Sequence, residues 1–418
     1  MPAKMEELSI KKNMAWNSIG SMFYLGCQWI ITILVVRLSS DYTAAGTLAL
    51  GMAIANIFNS IGYYKIRTFQ VSDLSNAYSS CDYIGFRLIT TIASFVAMLA
   101  YSVATCTIND APSIIAYGLF SCGPVLVDVL HGIDQKNNRM DFIGKSLIIR
   151  GAISLLAFSV GMITFDSLFL SLCAMTVLTY AAIGLYDVPA TRKIEKSLKP
   201  CFDRKRIARL AITCLPLVLA LLFLNAAPSV SRQILASLYS TSDLGIYASV
   251  AAPIAIIQMG VQYIYAPLLG KFAKHSFKNE GKLFIHLLLK TIAAILILTT
   301  VLMVLFLLFG RDLLTLLYGS SISDYAFLIP PLVICTSLTA LIWFCGDLLV
   351  IIRKIHANLI CYLICFIVST ITATPFLENC GINGASYCLI AGFALGLIGS
   401  LIVIANYCLV IENKSQRI

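Results

Sequence analysis

Several ionisable side chains sit inside, or at the ends of, segments too apolar to hydrate them. The bases are Arg37, Lys65, Arg67, Arg87, Arg150, Arg232 and Lys290, and the acids are Asp128 and Asp347. A guanidinium in low dielectric costs free energy unless a fixed partner or a wet cavity answers it. Its planar fork of donors also suits oxyanions better than an ammonium does. A carboxylate stripped of water favours its protonated form and can therefore carry a proton. Anion handling and ion carriage are the chemistries these residue types offer. Each has a plainer alternative. Arg150, in FIGKSLIIRGAISLLAFSVGMITF, either lines a cavity, snorkels to the interface, or pairs with Asp128. Arg37 and Arg232 have Asp41 and Asp243 close by in sequence, and Asp347 has Lys290 and Arg353 as candidate partners. Lys65, Arg67 and Arg87 cluster at inner helix ends, where attraction to anionic lipid suffices to explain them.

Other chemistries find no motif. The 14 cysteines fall mostly within apolar runs, with no C-x-x-C pair and no His spacing suited to zinc, so they read as small buried hydrophobes and no metal site is expected. No P-loop and no D-x-D motif appears, which argues against ATP hydrolysis, a nucleotide-sugar glycosyltransferase and enzymatic activity in general. No cofactor is called for.

The elements that must position these residues follow from composition. The chain has 418 residues, 59% hydrophobic and 12% charged, against about a quarter charged for a soluble domain. It reads as an integral membrane protein of the all-α class. Twelve uncharged stretches, from Asn13–Val36 to Gly381–Ile411, mostly approach the roughly 20 residues a helix needs to span hydrocarbon. Barrel strands would be half as long and alternate polar with apolar. With the N-terminus inside, only Arg37, Arg232 and Arg311 of the 30 Lys and Arg fall outside. The positive-inside rule thus supports twelve helices with both termini cytoplasmic, and the net charge of +10 calls for no nucleic acid. No signal-peptide cleavage site precedes the first helix, which is expected to persist.

A basic segment at the midpoint, TRKIEKSLKPCFDRKRIAR, divides the chain into a first lobe over 1–190, a linker over 191–209 and a second lobe over 210–418. The halves look related: Gly46, Ala49 and Ala53 align with Gly245, Ala248 and Ala252 at the start of the second helix of each. Six helices per half makes this a parallel repeat, which places a substrate path between the lobes. Pro216 and Pro253 predict kinks in the seventh and eighth helices. Trp29, deep in the first helix beside Gln28, is a candidate sugar contact, whereas Trp16, Tyr63 and Tyr64 fit an interfacial aromatic belt.

Two blocks carry a family resemblance. One holds Asn13, Trp16, Asn17, Gly20, Gly46, Arg67, Gln70 and Asp73, and the other Asp128, Gly132, Gln135, Ser146 and Arg150. With them the chain resembles the polysaccharide-biosynthesis flippases, the O-antigen transporters of the multidrug/oligosaccharidyl-lipid/polysaccharide (MOP) exporter superfamily. The resemblance implies a V-shaped pair of six-helix lobes in the bacterial inner membrane. It implies transfer of an undecaprenyl-diphosphate-linked oligosaccharide from the cytoplasmic to the periplasmic leaflet, for use in lipopolysaccharide or a similar polysaccharide. A glycan polymerase and chain-length machinery would be partners. Under that reading Arg37, Lys65, Arg67, Arg87, Arg150, Arg232 and Trp29 would receive the diphosphate and sugar, and Asp128, Asp347 and Lys290 would serve H+ or Na+ coupling. A drug or cation antiporter of the same superfamily is the alternative, and a membrane glycan polymerase a more distant one.

Overall fold

The computed structural model describes residues 8–73 and 78–415; the two chain ends, expected on the cytoplasmic side, lie outside them. The described residues are helical with no strand. Eleven stretches are long and apolar enough to cross a membrane, and the last, Ile355–Ile411, holds two helices joined by the short turn Gly381–Asn383. With that hairpin counted as two, the twelve crossing helices expected from the uncharged stretches are present.

By contacts the chain separates into two compact units, Met1–Val218 and Leu219–Ile418. The first contains α1 (Ile10–Leu38), α2 (Thr43–Tyr63), α3 (Ser80–Thr105), α4 (Ala111–Lys136), α5 (Met140–Phe165) and α6 (Leu168–Ala182). The seventh helix, α7 (Arg204–Leu238), crosses the boundary. The second unit continues with α8 (Thr241–Ile254), α9 (Gly281–Tyr318), α10 (Ile329–Ile351), α11 (Ile355–Cys380) and α12 (Gly384–Ser415).

Helix starts follow local chemistry. Ser79 and Asp82 form a reciprocal capping box at α3, while Ser167 and Ser240 each accept a backbone N–H at the starts of α6 and α8. Proline near the first turn of α4 and α10 occupies positions whose N–H would have no helical partner. Helix interruptions occur in both units. Tyr64 (φ 46°) and Lys65 (φ 53°) are consecutive left-handed residues that stop α2 before the short helix Ile66–Ser72. A π-helical turn over Ile183–Asp187 joins α6 to Val188–Arg192. The eighth helix breaks next to Pro253, and again at Ala266–Leu268 before its last segment Leu269–Phe277. Around Pro216, by contrast, α7 stays continuous, since spanning helices tolerate a lost backbone bond.

In the first unit, α1 lies along α5, α5 against α6, and α2 against α3 and α4. The α1–α5 approach depends on two glycines: a Cβ on Gly20 would sit 2.6 Å from the Gly144 Cα, and one on Gly144 would strike the Trp16 carbonyl. The non-helical part of the midpoint connector and the first turn of α7 are docked on the start of α3. The Cys201 N–H donates to the Cys81 carbonyl (3.0 Å), Ser80 donates to Glu195 (3.0 Å), and Arg206 pairs with Asp82 (2.7 Å). In the second unit Phe272 meets Phe284 edge-on and Phe344 at a tilt in one core, with Tyr265 against Phe344. The α11–α12 hairpin closes through Gly392 and Gly396, whose missing side chains make room for Ser369 and Cys365. Large apolar side chains face outward, as on Ile297, Leu308 and Ile371, which suits a surface solvated by lipid tails.

Candidate functional site

The first unit holds a polar core assembled from four helices. Because α2 ends in the left-handed pair Tyr64–Lys65, the Gly62 carbonyl lacks a helical donor. Arg87 on α3 supplies one through Nη1 (2.6 Å), and the Thr90 hydroxyl a second (2.9 Å). The same guanidinium, 0% exposed, donates Nη2 to Asp128 Oδ2 on α4 at 2.7 Å and lies 5.8 Å from the centre of the Tyr63 ring. Just past the break, Arg67 reaches Asp128 Oδ1 (3.4 Å) and donates to Gln135 Oε1 from Nε (3.0 Å) and Nη2 (2.8 Å). Each oxygen of Asp128 therefore has its own arginine. This clamp ties α2, α3 and α4 together, and removing the acid would leave Arg87 charged and buried.

Arg150 on α5 is in a different state. It is 2% exposed, so it does not snorkel, and Asp128 is taken by Arg67 and Arg87, so it does not pair there. Its Nε donates to the Ser146 hydroxyl (3.2 Å), one turn earlier on α5, and its Cζ lies 5.7 Å from the centre of the Tyr24 ring on α1. Gly151 makes that second contact feasible, since a Cβ there would press to 3.2 Å from the Tyr24 Cα. Nη1 is buried with no hydrogen-bond partner, and no described carboxylate lies within 4.0 Å of the guanidinium. Among the described residues Arg150 is thus a buried cation with no counter-ion.

Behind it lies a second polar group that the sequence reading missed. His131 Nε2 is 3.3 Å from the Ser146 hydroxyl and 3.4 Å from Asp187 Oδ1, and Thr191 donates to Asp134 at 3.3 Å. The spacing gives the register: His131 and Asp134 are three apart on α4, and Asp187 and Thr191 four apart across the π turn. A histidine three residues before an aspartate at the end of an apolar run was the available signal.

The remaining expected residues scatter. Lys65 and Arg37 are exposed at helix ends, and Trp29 is 39% exposed on α1. Arg232, half-buried on α7, makes no ion pair with Asp243, whose carboxylate accepts the Ser240 hydroxyl at 2.5 Å. Asp347 is half-buried on α10, beside the Tyr265 hydroxyl, and Lys290 is exposed on α9. Arg67, Arg87 and Asp128 are the expected residues that the structure brings into direct contact, with Arg150 held separately in the same unit.

Compared with solved structures, the chain matches an inward-facing multidrug-resistance MATE transporter of the MOP superfamily at a TM-score of 0.75. Identity is 13%, over 97% of this chain and 99% of the other. The fold is thus shared with a MOP-superfamily transporter. It also matches the lipid II flippase MurJ in its inward closed conformation, with a TM-score of 0.69 and 13% identity over 96% of this chain and 90% of that one. Among curated proteins, the capsular polysaccharide biosynthesis protein CapF of Staphylococcus aureus is 23% identical over 323 residues, 75% of this chain and 78% of that protein. No family model matches the sequence. The chain is therefore an integral membrane protein whose fold is shared with a multidrug-resistance MATE transporter and with the lipid II flippase MurJ.

Proposed function

We propose that the protein is a flippase of the bacterial inner membrane, with both termini cytoplasmic. It moves an undecaprenyl-diphosphate-linked oligosaccharide, of O-antigen or capsule type, from the cytoplasmic to the periplasmic leaflet. The observation that carries this reading is the buried guanidinium of Arg150, which has no counter-ion and whose Nη1 has no hydrogen-bond partner among the described residues. A buried cation without a counter-ion is unfavourable in the empty protein and is neutralised when an anion arrives. A diphosphate supplies that anion, and a guanidinium can meet two of its oxygens at once. Similarity to the capsular polysaccharide protein and to MurJ points to the same substrate class. By this reading the fully buried Arg87 supports the site by holding Asp128, and the partly exposed Arg67 is within reach of substrate. Both oxygens of Asp128 face arginine, which leaves Asp347 as the carboxylate we put forward for a coupling H+ or Na+. The translocated unit would be handed to a polymerase and its chain-length partner.

The superfamily fold also serves drug exporters, and a cation antiporter is the second reading. A cationic cargo gains nothing beside Arg150 and is repelled by it. The test is transport by purified protein in proteoliposomes carrying a fluorescent undecaprenyl-diphosphate oligosaccharide, with ethidium efflux measured in parallel. Flipping of the glycolipid, lost in Arg150→Gln, is expected. Ethidium transport that survives Arg150→Gln, with no glycolipid flipping, would reverse the assignment.

A further inference from the structure

Arg150 is not the sole unanswered polar group in the first unit. Gln28 Nε2 on α1 and Asn59 Oδ1 on α2 are also buried without a hydrogen-bond partner. Each has a tyrosine four residues away on the same helix face, Tyr24 on α1 and Tyr63 on α2. A third tyrosine, Tyr117 on α4, packs over Gly51 of α2, where a Cβ would lie 3.3 Å from its own. The three phenols lie within electrostatic reach of one another, with Arg150 near Tyr24 and Tyr63, and none has a hydrogen bond from a described residue. Tyr63 is 36% exposed although its helix is largely buried, so part of its side chain is left uncovered by the protein. The layering fits that exposure: α1 rests on α5, α2 rests on α3 and α4, and α1 and α2 touch each other little, which leaves a cleft between them.

A cleft so lined has a recognisable chemistry. It offers an amide donor at Gln28, an amide acceptor at Asn59, phenol hydroxyls that act as both, and aromatic faces, all beside one cation. Hydroxyls on a ring with an apolar C–H face use every one of those features, and an attached phosphate uses the cation. A purely apolar cargo would leave the amides unpaired, at a cost that disfavours it. We infer that the cleft between α1 and α2, lined by Tyr24, Gln28, Asn59, Tyr63 and Tyr117 beside Arg150, binds the pyranose directly attached to the diphosphate. This subsite rests on the flippase reading and extends it to the sugar.

The full-length protein in lipid nanodiscs is titrated with bare undecaprenyl diphosphate. It is also titrated with the same lipid bearing a single glucose, galactose, N-acetylglucosamine or N-acetylgalactosamine. At least one glycosylated lipid should bind about tenfold more tightly than the bare one, the worth of one satisfied buried hydrogen bond. The pair Gln28→Leu with Asn59→Leu, and separately Tyr63→Leu, should erase that gain and leave affinity for the bare lipid within about twofold. Tyr63→Phe, which keeps the ring and the packing, should retain part of the gain. Arg150→Gln should weaken both kinds of lipid. Equal binding of bare and glycosylated lipids by the wild type would overturn the sugar subsite while leaving the diphosphate reading intact. Parallel loss of both in the Leu variants would make these side chains structural and also overturn it. Binding of no undecaprenyl lipid at all would remove the flippase reading together with the subsite.

Discussion

Replacing Arg150 with methionine separates a functional cation from a structural one. Methionine keeps an unbranched side chain of similar reach while deleting the charge. The change removes one charge-assisted bond to Ser146, worth about 1.5–3 kcal/mol, and a ring contact with Tyr24 worth about 0.5–2 kcal/mol. It also removes the desolvation cost of an uncompensated ion, which is several kcal/mol even after relaxation. Ser146 is not stranded, because its hydroxyl stays 3.3 Å from His131 Nε2. The two lost contacts sum to about 2–5 kcal/mol, so the balance runs from about neutral to a gain of about 3 kcal/mol, the upper end of the sort found when a functional site is relieved of its strain. Transport should fall by about 100-fold, the equivalent of roughly 3 kcal/mol of charge-assisted bonding to a diphosphate. Stability would be read from reversible SDS unfolding in mixed micelles, and transport from glycolipid flipping in proteoliposomes. Arg150→Lys, which retains a point charge without the fork, should fall between the two in transport. A methionine variant destabilised by more than about 1 kcal/mol with transport intact would show that Arg150 braces the fold, and the reasoning would fail.

The clamp should behave in the opposite sense: Asp128→Asn leaves Arg87 charged and buried, and should cost about 3 kcal/mol in the same unfolding assay. Adding Arg87→Met should recover at least about 1 kcal/mol of that loss, whereas strictly additive effects would deny the coupling. Gly144→Ala drives a Cβ into the backbone of Trp16 and should cost about 1–3 kcal/mol; it should also weaken glycolipid binding, because α1 carries Tyr24 to Arg150. An unchanged melting temperature would mean that α1 is not seated on α5 as described. Lys65→Gly should relieve left-handed backbone strain and stabilise by up to about 1 kcal/mol. A loss of stability would instead give the Lys65 side chain a structural role.

The fold was legible because the bilayer leaves so few options. Apolar runs of helix length, cut by charges, account for the twelve crossings without any knowledge of packing. Residues of the site were legible as types: Arg67, Arg87, Asp128 and Arg150 drew notice because ions in apolar surroundings need an explanation. Their pairing was not, because partners such as Arg67 and Asp128 are far apart in sequence and meet only through a break in α2. Nothing in Tyr64 or Lys65 announces that break, since neither is glycine and both adopt left-handed geometry under tertiary constraint. The His131–Asp187 contact depends in the same way on a π turn that no local propensity requires.

The most consequential gap concerns a missing partner. Sequence suggested Asp128 as one answer to Arg150, and both residues are present in one unit. Arg67 and Arg87 take one carboxylate oxygen each, however, and Arg150 is held on α5 against Ser146 and Tyr24 with no described carboxylate within 4.0 Å. Arg67 and Arg87 share one aspartate while Arg150, held apart on α5, has none, so the polar core of this unit carries a surplus of positive charge. Leaving the surplus on Arg150, buried like Arg87 but without its carboxylate, while the partly exposed Arg67 keeps a share of the acid, concentrates the unmet demand at one point. Lipid tails cannot satisfy that demand and anions can. Under the proposed flippase reading, selectivity for an anionic headgroup over a cationic drug would follow from which arginine lacks a carboxylate, more than from how many arginines the chain contains.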